Sequence, residues 1–299
     1  MGLLTGSNST FMDIGSLTPY NLLKNNSSKY SYLNLCSVLK ENDYSTIAMH
    51  PYGGTNYDRD KVYELFGFDD FKSLDNWYDD ASWIRWCVAD EYDFDKIIEQ
   101  YETKTSNKLF VFNVTMQNHG SYTYPMDSYN IQESTLDNYE LNSYLSLVNY
   151  TDSALEKLIN YFSNVDEPTM IVFFGDHQPS LPNDFYDMVF GTDSPSKEQQ
   201  ESKYVTPYFI WSNYARKTYN KSYINLDYLQ AIVKLEAGLE LDNWDKYLLS
   251  MMDEYPVIGK YGIFDSNYNF YSYNELSNEQ EELLKQMKYA QYYRWTSLK

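Results

Sequence analysis

The stretch Thr169-Met170-Ile171-Val172-Phe173-Phe174-Gly175-Asp176-His177-Gln178-Pro179 decides the fold. Its first six residues are apolar or β-branched with no polar alternation, the pattern of a strand covered on both faces of a parallel sheet. Gly175 then lets the backbone turn tightly, and Asp176-His177 puts a carboxylate and an imidazole at the strand's carboxyl end. In open α/β sheets that edge is where ligands bind. Two more apolar runs end in the same way. Residues 44–49 lead into His50, and residues 108–114 lead into Met116-Gln117-Asn118-His119-Gly120. These are all three histidines of the chain, so three strands point to one polar site.

Helical patterns separate the strands. Apolar residues recur at helical spacing in 94–101, a long amphipathic stretch covers 138–162, and a shorter helix is expected over 32–40. Such alternation predicts a mostly parallel α/β sandwich. After a polar insertion at 191–202 come a strand over 205–211, helices near 226–236 and 244–252, and an aromatic stretch at 261–273. A last helix starts at Asn278, with Ser277 as its cap. The first 28 residues look polar and turn-rich. Residues 1–215 are expected to form the α/β core, and residues 216–299 a helical and aromatic part packed on the same domain.

Composition narrows the function. With 43 acidic against 23 basic residues, the formal charge is -20, and no Lys/Arg stripe is available to neutralise phosphates. Nucleic-acid wrapping is thereby excluded as a reading, and adsorption to an anionic membrane face is disfavoured. No run approaches the roughly 18 apolar residues of a membrane span. No signal-peptide pattern opens the chain. The 33 Tyr, 15 Phe and 6 Trp fit packing or an aromatic-lined cleft for a glycan or lipid headgroup. Cys36 and Cys87, each in an apolar helical context, read as buried thiols.

Asp176 and His177 can face one divalent cation, although such a pair also fits a capped turn with a hydrogen-bonded imidazole. His119 can contact a phosphate oxygen or act as an acid; a histidine satisfied by backbone at a turn has the same local sequence. His50, Tyr57 and Arg59 share a Gly- and Asn-rich loop on the ligand edge. Arginine is the natural fork for phosphate or sulfate, and tyrosine offers a ring and a hydroxyl to a glycerol or sugar. The plain alternative is a surface ion pair of Arg59 with Asp58 or Asp60.

Several blocks together resemble the lipoteichoic acid synthase-like branch of the sulfatase/alkaline phosphatase superfamily. They are Leu4-Thr5-Gly6-Ser7-Asn8-Ser9, the His50-to-Arg59 loop with Asp60-Lys61-Val62-Tyr63, and Asp90-Glu91-Tyr92-Asp93-Phe94-Asp95. Asn113-Val114-Thr115-Met116-Gln117-Asn118-His119-Gly120 and Phe174-Gly175-Asp176-His177-Gln178-Pro179-Ser180 complete the set. The resemblance implies a three-layer α/β/α sandwich with a mostly parallel central sheet, acting at the extracellular face of the membrane on lipid- or glycan-linked phosphoesters. It implies a divalent cation, manganese in this branch, with magnesium, calcium or zinc as alternatives. By the same resemblance Asp176 and His177 are metal ligands, His119 contacts the phosphate, and His50, Tyr57 and Arg59 clamp the headgroup. Position 57 is often Trp in the family and is Tyr here. The family's first strand with its Glu ligand, and its Thr nucleophile, are expected to lie before Met1, and any membrane tether with them. Without that strand, its neighbours should keep unpaired backbone along a buried edge.

The resulting expectation is a fragment of a metal-dependent phosphoglycerol or phosphoryl-headgroup transferase, or phosphoester hydrolase, of cell-envelope polymer synthesis. The alternative is a noncatalytic glycan- or polyanion-binding module without a nucleophile.

Overall fold

The computed structural model describes residues 1–12, 19–25, 34–123, 126–132, 138–215 and 221–297. In chain order its helices and strands are α1 (Gly2–Thr5), α2 (Pro19–Asn25), α3 (Leu35–Glu41), β1 (Tyr44–His50), α4 (Arg59–Phe66), β2 (Asp70–Ser73), β3 (Trp83–Ile84), β4 (Cys87–Val88), α5 (Asp90–Thr103) and β5 (Lys108–Asn113). There follow α6 (Tyr139–Ser163), β6 (Met170–Phe174), α7 (Asn183–Phe190), α8 (Lys197–Ser202), β7 (Tyr208–Ser212), α9 (Tyr228–Glu236), α10 (Asn243–Glu254), β8 (Val257–Ile258), β9 (Gly262–Phe264), β10 (Phe270–Ser272) and α11 (Asn278–Ser297).

Each predicted strand forms, and the side-chain period of two sorts its residues into two layers. On β6, Met170, Val172 and Phe174 pack into the large core that also holds Leu3, Leu4, Leu229 and Leu248. Ile171 and Phe173 point the other way, onto Phe94, Leu155 and Leu158 of α5 and α6. Strand β7 divides likewise, with Tyr208 and Ile210 on one side and Phe209 and Trp211 on the other. Helices thus cover both faces of the sheet, which is the three-layer α/β/α arrangement. The mostly parallel character comes from β2-β1-β5, where β1 runs parallel to both neighbours. Strand β7 is antiparallel to β6, as edge strands of such sheets often are.

Several local expectations are corrected. The first residues are not merely turn-rich, because Leu3 and Leu4 of α1 are buried in the main core. Gly6 closes α1 with a left-handed φ of 61°, and a Cβ there would lie 2.5 Å from the Gln230 side-chain oxygen. The polar insertion contains α8, started by a capping box between Ser196 and Gln199. Cys87 is buried as expected but lies in a two-stranded hairpin, not a helix. The aromatic stretch at 261–273 supplies strands of a small antiparallel sheet. Residues 32 and 33 of the expected helix over 32–40 lie outside the described residues; α3 itself begins at Leu35 behind an Asn34 cap.

Strands β5 and β6 belong to separate sheets, and no backbone hydrogen bond joins them among the described residues. A cavity of about 2810 Å³ lies between them, lined by every residue of both strands. Because consecutive residues line it, the strands present their backbone edges to it rather than one side-chain face. Interiors rarely keep voids larger than a water molecule, so the space between the two strands is a slot and not a packing gap. Among the described residues, β5 and β6 each end their sheet on this side without a further ladder partner. In amide hydrogen exchange, the slot-facing amides of β5 should exchange at least tenfold faster than the alternate ones bonded to β1. Uniform protection along β5 would show that the slot is closed in solution.

Candidate active site

Three strand ends build the site. His50 is the last residue of β1, buried to 1% exposure. The register that pairs Met49 with Asn113 brings it beside the chain leaving β5. There its Nδ1 donates to the Val114 carbonyl at 2.7 Å, which fixes the tautomer and leaves Nε2 as an acceptor. Nε2 is buried with no partner among the described residues. Burial, reinforced by the Arg59 charge, pushes the His50 imidazole down to about 4, so the ring is neutral near pH 7.

His119 lies six residues beyond β5 and is exposed. Its ring is 6.1 Å from Trp86 and 6.2 Å from His177. Trp86 meets Tyr52 at 6.1 Å, and Tyr52 meets His50 at 6.2 Å. An edge-to-face series of rings therefore runs from β1 to the end of β6. The His119–His177 contact brings together the segments that follow β5 and β6.

Asp176 and His177 are exposed, with Asp176 Oδ2 3.8 Å from His177 Nε2. They offer two donors side by side. No group of three or more His, Cys, Asp or Glu able to hold a metal ion occurs among the described residues. The donor chemistry thus suits part of a cation shell and does not complete one.

Tyr57 and Asp58 adopt left-handed φ values of 56° and 55° just before Arg59, the first residue of α4. Two successive non-glycine residues in this region store strain, which tends to collect at functional sites. Asp58 bonds Lys24 and Lys61, at 2.7 and 3.4 Å. The alternative surface pair of Arg59 with Asp58 or Asp60 is absent among the described residues; the guanidinium donates to the Asn56 carbonyl and lies over the Tyr57 ring at 5.1 Å. Arg59, His119, Asp176 and His177 share the slot or its mouth. His50 sits behind them, and Tyr57 is half-exposed outside the cavity lining.

Sequence reasoning missed a buried polar layer beneath His119. Burial pushes the Asp93 carboxyl up to about 7, while Tyr78 and Asn113 each donate to it at 2.6 Å. Burial likewise raises Asp90 to about 6. No local signal announced it, because acidic residues in a helix's first turn are ordinary there.

The sulfatase family model matches residues 2–235. The chain belongs to the sulfatase family. It is 28% identical over 275 residues to a Rhizobium meliloti protein described as "Putative cyclic beta-1,2-glucan modification protein", covering 88% of this chain and 42% of that one. It is 27% identical over 152 residues to Staphylococcus aureus lipoteichoic acid synthase, covering 49% and 23%. The chain thus spans less than half the length of these curated relatives. In fold it is similar to the Streptococcus pyogenes phosphoglycerol transferase GacH, solved with sn-glycerol-1-phosphate. That likeness has a TM-score of 0.72 at 21% identity, over 98% of this chain and 71% of the other.

A carboxyl raised by burial binds its proton more tightly folded than unfolded. Its stability contribution is full below pH 4 and is lost as pH climbs to about 7. His50 acts oppositely, losing its contribution as pH falls from 6.5 towards 4. The melting temperature of the wild type should therefore fall between pH 5 and 8. Asp93→Asn should flatten that fall; an unchanged slope in Asp93→Asn would contradict the assignment.

Proposed function

We propose that this chain carries the headgroup clamp and part of the metal site of a cell-envelope phosphoglycerol or phosphoryl-headgroup transferase. The nearness of Arg59, His119 and Asp176 to one imidazole, His50, on which all three charges act, carries this reading. Arg59 supplies a planar fork for the phosphate, and His119 offers a second contact to it. His50 presents an acceptor to a headgroup hydroxyl through Nε2, and Tyr57 adds a ring at the outer edge. Asp176 and His177 hold a divalent cation, manganese by family resemblance, with magnesium, calcium or zinc as alternatives. Bound there, the cation would neutralise phosphate charge and polarise the ester.

The β5–β6 slot takes one further parallel strand, apolar on both faces, from the longer protein of which this chain is part. That strand also completes the cation shell and brings the nucleophile, and the longer protein works at the outer face of the membrane. No helix among the described residues is long and apolar enough to cross a membrane, so a tether comes from the same additional sequence. The substrate is a lipid- or glycan-linked phosphoester, in keeping with the phosphoglycerol chemistry named for GacH. The incomplete donor set favours one second reading, a noncatalytic glycan- or polyanion-binding module.

Glycerol 1-phosphate titrated calorimetrically into this chain should bind, and Arg59→Ala should weaken it by about tenfold or more, the scale of a charge-assisted contact. Manganese followed by paramagnetic resonance should bind weakly and be lost in Asp176→Ala. Metal-independent binding without phosphodiester turnover, even in the longer protein, would favour the binding module. Absence of any glycerol phosphate binding would overturn both.

A further inference from the structure

We propose that Arg85, Asp90 and Thr151 are positioning residues that aim His119 at the strand edge. This rests on the reading of His119 as a phosphate contact. His119 sits beyond the last β5 ladder bond, so the sheet alone does not set its place. Two side-chain systems hold its segment from opposite sides.

From above, the tip of the β3–β4 hairpin delivers Arg85, itself at a left-handed φ of 57°. Its Nη2 donates to the Gln117 and His119 carbonyls at 3.0 and 2.9 Å, and its Nη1 to the Ser121 carbonyl at 2.9 Å. One rigid guanidinium on three alternate carbonyls fixes the curvature of the loop.

From below, hydrogen-bond stoichiometry fixes the side chains flanking the imidazole. The Thr151 hydroxyl has one proton and two lone pairs. Two acceptors face its proton, Asp90 Oδ2 at 2.6 Å and the Leu147 carbonyl at 3.2 Å, and the shorter, charge-assisted bond to Asp90 takes it. Its lone pairs accept from Gln117 Nε2 at 3.0 Å and Asn118 Nδ2 at 2.9 Å. Gln117 Oε1 in turn accepts from the Asp90 backbone N–H at 2.9 Å, and Gln117 Nε2 also donates to the Leu147 carbonyl at 3.1 Å. Asp90, Gln117 and Thr151 are all buried, so water cannot readily replace a lost partner. The network ties the starts of α5 and the middle of α6 to the two residues preceding His119.

With three histidines, the imidazole Cε1–H signals of this chain can each be followed by NMR. Thr151→Val keeps the shape and removes the hydroxyl. The His119 signal should then shift or broaden, and amide exchange across residues 115–121 should quicken about tenfold. The His50 signal should stay, and Thr151→Ser should restore the wild-type pattern. Arg85→Lys keeps the charge, loses the fork and should displace the same signal, so the test survives if Thr151→Val fails to fold. Folded variants with a wild-type His119 signal and exchange would overturn the proposal. A displaced His119 with undiminished glycerol 1-phosphate affinity would leave the positioning role standing and remove the phosphate role instead.

Discussion

The parallel register of β1 against β5 is the constraint on which the site depends. It pairs Tyr44 with Lys108 and Met49 with Asn113, so His50 and Val114 arrive together at one edge. The His50–Val114 hydrogen bond then sets the tautomer, and burial keeps the ring neutral. A one-residue slip would turn every side chain of the slipped strand to the opposite face. Phe112 would leave the main core, and His50 would lose its carbonyl.

The same sheet explains why the site is concentrated at one end. Both helical layers grip β6 through alternate residues, which leaves only its edge and its carboxyl end accessible from the cavity. Chemistry-bearing residues therefore collect at the mouth, on loops that the rigid strands position. The slot between β5 and β6 has apolar residues above and below and backbone on both sides. An occupant that met those demands would be an extended, doubly buried strand, and would arrive at the mouth beside Asp176.

Much of this was readable in the sequence because period and composition are local signals. The runs at 44–49, 108–114 and 169–174 became β1, β5 and β6 nearly residue for residue. Ser277 and Gln280 form the expected cap of α11. What was not readable depends on contacts between distant residues. Arg85 reaches carbonyls more than thirty residues away, and nothing periodic announces it. The segment around Cys87 looks helical by its apolar spacing but folds as a hairpin, since tertiary packing of Cys87 and Val88 overrides that weak preference. Asp90 and Asp93 read as ordinary acidic residues of a helix start, yet both are fully buried.

The central claim is that the three strand ends form one phosphate-headgroup site. A crystal structure of this chain soaked with glycerol 1-phosphate and manganese tests it most directly. The account predicts the phosphate between Arg59 and His119, a headgroup hydroxyl facing His50, and the cation against Asp176 and His177. A phosphate bound away from Arg59 and His119, or a cation that ignores Asp176 and His177, would contradict it.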